Sequence, residues 1–325
     1  MVPAAPPPPT FYLTVGEAVT CLVFTRSHLV VGTAVGNIKL YCCKSWQLIA
    51  SLQPFSRGIL WLAMVGEGIG AKMICQGRFE GVKVLRSEDE EWVKWKEVIS
   101  HCITHQGFCK GLLLAKEEDQ GDVVACPSGQ GSLMMARMVG EVIRPLASLT
   151  KEGAGTLMAV VDMGGGRILA GWENGVVVVW QWSNQREEAM VDLHCKVGTV
   201  MALAWDPAKE RGVVVGSEDR LVVVDASLQV VGQRQVVNSG MGAVLVRDDS
   251  SIMVAGGWDA RLRVFSWKKP EKLKPLAVLD FHSEAVEAMA FSNGRLEEGR
   301  LAGKRLVAAG GKDGKVSLWD IYSDV

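Results

Sequence analysis

Arg305-Leu306-Val307-Ala308-Ala309-Gly310-Gly311-Lys312-Asp313-Gly314-Lys315-Val316-Ser317-Leu318-Trp319-Asp320 is the stretch that decides the fold. Two short apolar runs flank Asp313-Gly314. An Asx-Gly pair in that setting is the strongest short hairpin signal, because both central residues of the tight turn need positive φ. Just upstream, Ala285-Val286-Glu287-Ala288-Met289-Ala290-Phe291 alternates as a further strand.

The same strand–turn–strand unit recurs six more times toward the N-terminus. IMVAGGWD (252–259) runs into RLRVF (261–265), VVVGSED (213–219) into LVVV (221–224), and RILAGWENG (167–175) into VVVVW (176–180). Fainter copies are VVAC (123–126) before Gly131, MICQG (73–77) before Gly81 and LVVG (29–32) before Gly36. A spacing of roughly 40–45 residues is the period of a four-stranded propeller blade. Seven such units predict an all-β, seven-bladed β-propeller. One strand, Phe11-Tyr12-Leu13-Thr14-Val15, is left over at the start, while the last unit lacks an outer strand. The N-terminal strand therefore closes the ring by completing the last blade, covering two exposed edges at once. Residues 1–10 become a short proline-rich tail and 11–325 a single propeller.

Composition agrees with a packed globular chain: 325 residues, 48% hydrophobic and 22% charged. A formal charge of −1 provides no net basic field, which disfavours direct binding of nucleic acid or of an acidic membrane. The eight cysteines include no CxxC pair and mostly sit in apolar runs, the pattern of buried reduced thiols. The opening residues lack a signal-peptide pattern, and no run reaches the roughly 18 apolar residues of a membrane helix. Cytoplasm and nucleus are the expected compartments.

Motifs that would carry chemistry are missing. Gly299-Arg300-Leu301-Ala302-Gly303-Lys304 is one residue too short for a phosphate loop and is followed by Arg305, so no nucleotide is expected. Gly164-Gly165-Gly166 reads as a strand-linking loop. His101, Cys102, His105 and Cys109 lie close together, yet no second cluster supplies further zinc ligands, and they read as loop histidines beside core thiols. No catalytic residue, cofactor or metal ligand is assigned; the expectation is a non-catalytic scaffold. The charge runs 268–274 and 88–91 read as solvated loops, and the insert 295–300 as a mobile extension of the last hairpin.

The last unit resembles the WD repeat. The resemblance implies that His282, Asp313 and Trp319 form a buried network locking the turn to its neighbours. The usual Ser or Thr position holds Gly311, so the network is expected to be incomplete. Other units depart further: Phe265 and Asp225 stand where Trp is expected, and the first three lack the turn Asp. Within this superfamily AGGWDARLRVFSW (255–267), PLAVLDFHSEAV (275–286) and LAGWENG (169–175) resemble the family of guanine-nucleotide-binding-protein beta-subunit-like protein 1 and the fungal ASTRA-associated protein 1. That resemblance implies an adaptor acting with the TTT co-chaperone in the maturation and stability of phosphatidylinositol-3-kinase-related kinases.

Three other readings compete: a G-protein β-like signalling propeller, a propeller adaptor of a chromatin or ubiquitin-ligase complex, and a propeller enzyme. The β-subunit reading needs an N-terminal helix to pair with a γ subunit, which the prolines of residues 1–10 oppose. In WD repeats the residue before the turn Asp commonly faces the top surface, which implies Phe79, Glu173, Glu218, Trp258 and Lys312 as the candidate protein-binding face. Trp258, ringed by charge, has the composition of an interface hot spot, or else folds onto its own blade. Trp172, one step earlier in its unit, is expected to be packed.

Overall fold

The computed structural model describes residues 7–103, 105, 107–117, 121–129 and 131–322. The expected tail therefore lies outside the described residues over 1–6. Seven four-stranded antiparallel sheets follow one another along the chain. Blades 1 to 6 span 19–52, 59–101, 112–150, 157–192, 200–235 and 241–280. Blade 7 combines Val286–Phe291, Leu306–Gly311 and Lys315–Asp320 with Phe11–Thr14. The innermost strands touch in order, and that of blade 7 meets that of blade 1, so the ring is closed.

Closure follows the expected route. Phe11 pairs with Leu318, Tyr12 with Ser317, Leu13 with Val316 and Thr14 with Lys315. The amides of Val15 and Gly16 then donate to the Gly314 carbonyl at 2.8 and 3.0 Å.

The apolar runs are continuous where a blade is covered on both faces. Val213, Val214 and Val215 on the second strand of blade 5 are all fully buried. Outer strands are polar instead, as in the largely exposed Arg186–Asp192. Charge on these edges blunts pairing with other chains. The core is accordingly divided into wedges, each shared by two adjacent blades. Leu22, Phe24 and Leu29 of blade 1 pack with Leu306, Ala308 and Leu318 of blade 7, and Val254 and Val264 of blade 6 with Val307 and Trp319.

The insert predicted as mobile is a latch. Leu296 and Leu301 are buried in the wedge between blades 7 and 1, beside Cys43 and Trp46. Gly299, at φ +87°, lies so close to the Lys44 backbone that a Cβ there would sit 2.3 Å from its carbonyl oxygen. Glu298 pairs with Lys44 at 2.8 Å and Glu297 with Arg26 at 3.4 Å. Two leucines at the ends of the polar insert gain burial only by crossing the ring junction, and they reinforce the closure made by Phe11–Thr14.

One irregularity shapes the centre of the ring. In six blades the innermost strand bulges at its start, between Val19 and Cys21, Ile59 and Trp61, Leu157 and Ala159, Val200 and Ala202, Met241 and Ala243, and Val286 and Ala288. A bulge re-aims the extra side chain away from the sheet. Thr20, Leu60, Met158, Met201, Gly242 and Glu287, the residues skipped by the pairing, all line the central cavity of about 1370 Å³.

Candidate protein-binding face

In blade 7 the expected network is complete, and the correction concerns where its hydroxyl comes from. Trp319 Nε1 donates to Ser317 Oγ at 2.8 Å. Ser317 Oγ lies 2.8 Å from His282 Nε2, and His282 Nδ1 lies 3.1 Å from both Asp313 oxygens. Because an ionised Asp only accepts and the indole only donates, the consistent assignment has Ser317 donating to Nε2 and Nδ1–H donating to Asp313. Asp313 also accepts the amides of Ser283 and Lys315, each at 3.1 Å. The hydroxyl thus comes from the third strand, two residues before Trp319 on the same face. Gly311 is part of the design, since a Cβ there would lie 2.6 Å from His282 Nδ1.

Other blades fill the same stations with different chemistry. In blade 6, Asn238 donates to Asp259 at 2.7 Å, and Arg263, in the place of Ser317, grips it through two bonds of 2.9 and 2.6 Å. Burial alone would raise the Asp259 carboxyl, but hydrogen bonds from Arg263 and Asn238 override it and hold the pKa at about 2. In blade 2 the turn acid is Glu80, which accepts Ser56 N, Ser56 Oγ and Arg57 N at 3.2, 3.0 and 2.7 Å. Its extra methylene reaches the loop that Asp313 reaches in blade 7.

Of the five expected face residues, Phe79, Trp258 and Lys312 line the mouth of the central cavity. Glu173 and Glu218 are exposed but stand outside that lining. Glu173 instead accepts the Thr156 amide at 3.2 Å and steadies its own loop. Trp258 is packed on one side and open on the other. One face of the indole covers Gly240, where a Cβ would fall 2.1 Å from the ring, yet the residue is 44% exposed. Trp172 is packed as expected, its Nε1 donating to Gly131 O at 3.2 Å.

Four rim residues escaped the sequence reading: Arg57, Arg78, Phe108 and Lys110. Lys110 precedes the first strand of blade 3, and its Nζ donates to the Glu287 carbonyl of blade 7 at 3.2 Å. Blades 3 and 7 are not neighbours, so the side chain crosses the mouth. It remains open to solvent there, yet the enclosing walls lower the pKa of its ammonium. Arg78 stands next to Phe79 in the turn that lines up with Lys312-Asp313-Gly314, but nothing local in the sequence marks it, Arg57, Phe108 or Lys110 as part of the rim.

The histidine–cysteine cluster is dispersed. His105 and Cys109 are buried while Cys102 is exposed. Burial pushes the Cys109 thiol well above its ordinary range. Among the described residues no group of three or more His, Cys, Asp or Glu is placed to hold a metal ion.

A ring of seven four-stranded blades closed by an N-terminal strand defines a seven-bladed β-propeller, and its last blade carries the Trp–Ser–His–Asp arrangement of a WD repeat. The profile of the WD domain, G-beta repeat, matches residues 273–320. Over 98% of its length the chain is similar, at 28% identity, to Guanine nucleotide-binding protein subunit beta-like protein 1 of Mus musculus, 97% of which is covered. It is 31% identical to ASTRA-associated protein 1 of Verticillium alfalfae over 53% of this chain and 51% of that protein. The corresponding protein of Schizosaccharomyces pombe is 34% identical over 27% of this chain and 21% of its own. The chain thus spans nearly all of the mouse relative and about half or less of these fungal ones. Among solved structures, Saccharomyces cerevisiae Sqt1 superposes with a TM-score of 0.72 over 94% of this chain and 84% of that one. At 13% identity that likeness concerns the fold alone.

Proposed function

We propose that this propeller is a non-catalytic adaptor working with the TTT co-chaperone in the maturation and stability of phosphatidylinositol-3-kinase-related kinases, in cytoplasm and nucleus. The observation that carries the reading is the end-to-end likeness to the mouse beta-like protein 1, joined by shorter matches to proteins whose name ties them to ASTRA. The rim suits holding over turnover: Trp258 and Phe79 offer exposed aromatic area on short loops fixed by rigid blades, the composition of interface anchors. Phe79, Trp258 and Lys312 form the centre of the proposed face, with Glu173 and Glu218 at its margin. The test is affinity purification of the tagged chain, paired with kinase half-lives after its depletion. Recovery of co-chaperone subunits and shortened half-lives support the reading. Absence of those subunits together with unchanged kinase abundance overturns it.

A further inference from the structure

The part of the rim carried by blades 1 to 3 differs from the rest. Arg57 and Arg78 sit 5.3 and 5.1 Å from the centre of the Phe79 ring, and Arg78 lies 4.3 Å from that of Phe108. These rings stay open to solvent, at 40% and 55% exposure, and Val35 stands exposed on the same mouth. Among the described residues neither guanidinium has an ion-pair partner, and Arg78 Nε is buried with no hydrogen bond. The acid beside them in the chain, Glu80, is occupied by the backbone and hydroxyl donors of Ser56 and Arg57. Lys110 sends its ammonium across the mouth to the Glu287 carbonyl, beside the Lys312–Glu287 pair at 3.0 Å, so the cations left without a counter-charge at the rings are Arg57 and Arg78. A chain of net charge −1 has thus gathered uncompensated cations around two exposed phenyl rings.

We propose that this sector captures an acidic segment of a partner protein, an apolar side chain of which seats on Phe79 and Phe108 while flanking carboxylates take Arg57 and Arg78. The inference rests on the adaptor reading and specifies the chemistry of the partner. A guanidinium stacked on a ring is weakly hydrated and already oriented, so its planar fork meets a carboxylate with little further ordering. The rings supply the dry floor that an anchor needs. A nucleic acid fits less well, because a phosphate backbone calls for cations along an extended track. Here the two unpaired guanidiniums sit together at Phe79, while the other cations of the mouth, Lys110 and Lys312, both reach Glu287 beside the exposed acid Glu284.

The experiment pans a random peptide library on the full chain, then measures the selected consensus peptide by fluorescence anisotropy against Arg57→Glu, Arg78→Glu and Arg78→Lys. Enriched peptides should combine Asp or Glu with an aromatic or aliphatic residue. Each charge reversal should weaken binding roughly thirty-fold or more, the scale of losing a hot-spot contact. Arg78→Lys, which keeps the charge and loses the fork, should weaken it too. Melting curves accompany every variant, and Arg57→Glu, on an exposed side chain, decides the matter if Arg78→Glu unfolds. Enrichment of peptides lacking acids, undiminished affinity in Arg57→Glu, or poly(U) RNA displacing the peptide would each overturn the proposal. Co-precipitation separates the two readings. Arg57→Glu that loses the peptide but keeps the co-chaperone overturns this surface alone, whereas peptide capture by a wild-type chain that recovers no co-chaperone overturns only the adaptor assignment.

Discussion

Replacing Ser317 by Ala removes one oxygen that serves two partners at once. Its hydroxyl accepts from the Trp319 indole and faces His282 Nε2, and the residue is fully buried. The substitution leaves both groups in a dry wedge with nothing to bond. Each orphaned buried group costs about 1–3 kcal/mol, so the variant should be destabilised by roughly 2–6 kcal/mol. A propeller of this size should melt lower by about 2 °C for each kcal/mol. Trp319→Phe deletes the donor in place of the acceptor and should be non-additive with Ser317→Ala by ~0.5–3 kcal/mol, since each removes part of the need for the other. Denaturant unfolding of the wild type, both single variants and the double variant gives all four corners of the cycle. A Ser317→Ala stability within ~0.5 kcal/mol of wild type, or strict additivity with Trp319→Phe, would refute the relay as described.

Three further outcomes can be checked on the same protein. Asp259 has its pKa depressed to about 2 in the fold, so the stability it contributes is present above the unfolded carboxyl pKa and is lost as pH falls toward 2; Asp259→Asn should flatten the melting temperature against pH between about 5 and 2. Leu301→Ala, in the latch across the ring junction, should cost ~2–5 kcal/mol as a buried leucine does, and a change near zero in urea unfolding would mean that the insert does not pack. Trp258→Ala should cost clearly less than the ~3–5 kcal/mol of a core aromatic, because one face is already open; partner recovery in co-precipitation should fall nonetheless, and unchanged recovery removes Trp258 from the face.

Those parts of the fold that repeat could be read from the chain. The hairpin at Asp313-Gly314 is a local signal, and its seven-fold recurrence, weak in any single copy, fixes both the blade count and the orphan strand at Phe11. What the chain hid depends on substitution between equivalent places. Ser317 does on the third strand what a Ser at position 311 would do on the second, and Arg263, at the station of Ser317 in blade 6, grips the turn Asp259 directly where Ser317 reaches Asp313 only through His282. A motif search by position misses such exchanges, because the network needs a hydroxyl or a fork at a point in space. The rim cluster was hidden for a different reason. Arg57, Arg78 and Phe108 belong to three loops separated by tens of residues, and nothing local in any of them announces that two guanidiniums will meet one ring.

The way the core is divided bears directly on what the rim can do. Every wedge is shared between neighbouring blades, and the ring is closed by both Phe11–Thr14 and the latch of Leu296 and Leu301. No blade can therefore tilt without opening two wedges, each lined by fully buried aliphatic side chains. The rim turns are tied to this frame by charged or hydroxyl groups: Asp313 to Ser283, Glu80 to Ser56 and Arg57, Glu173 to Thr156. Trp258 is propped on Gly240, and the Phe79 ring is contacted by the guanidiniums of Arg57 and Arg78. A partner meeting this surface finds its anchors already placed, so little loop ordering is subtracted from the contact energy. That is the physical advantage of such a frame for an adaptor: affinity can be carried by a few exposed rings and forks on short loops, and changes of partner can come from changing those loops while the wedges stay as they are.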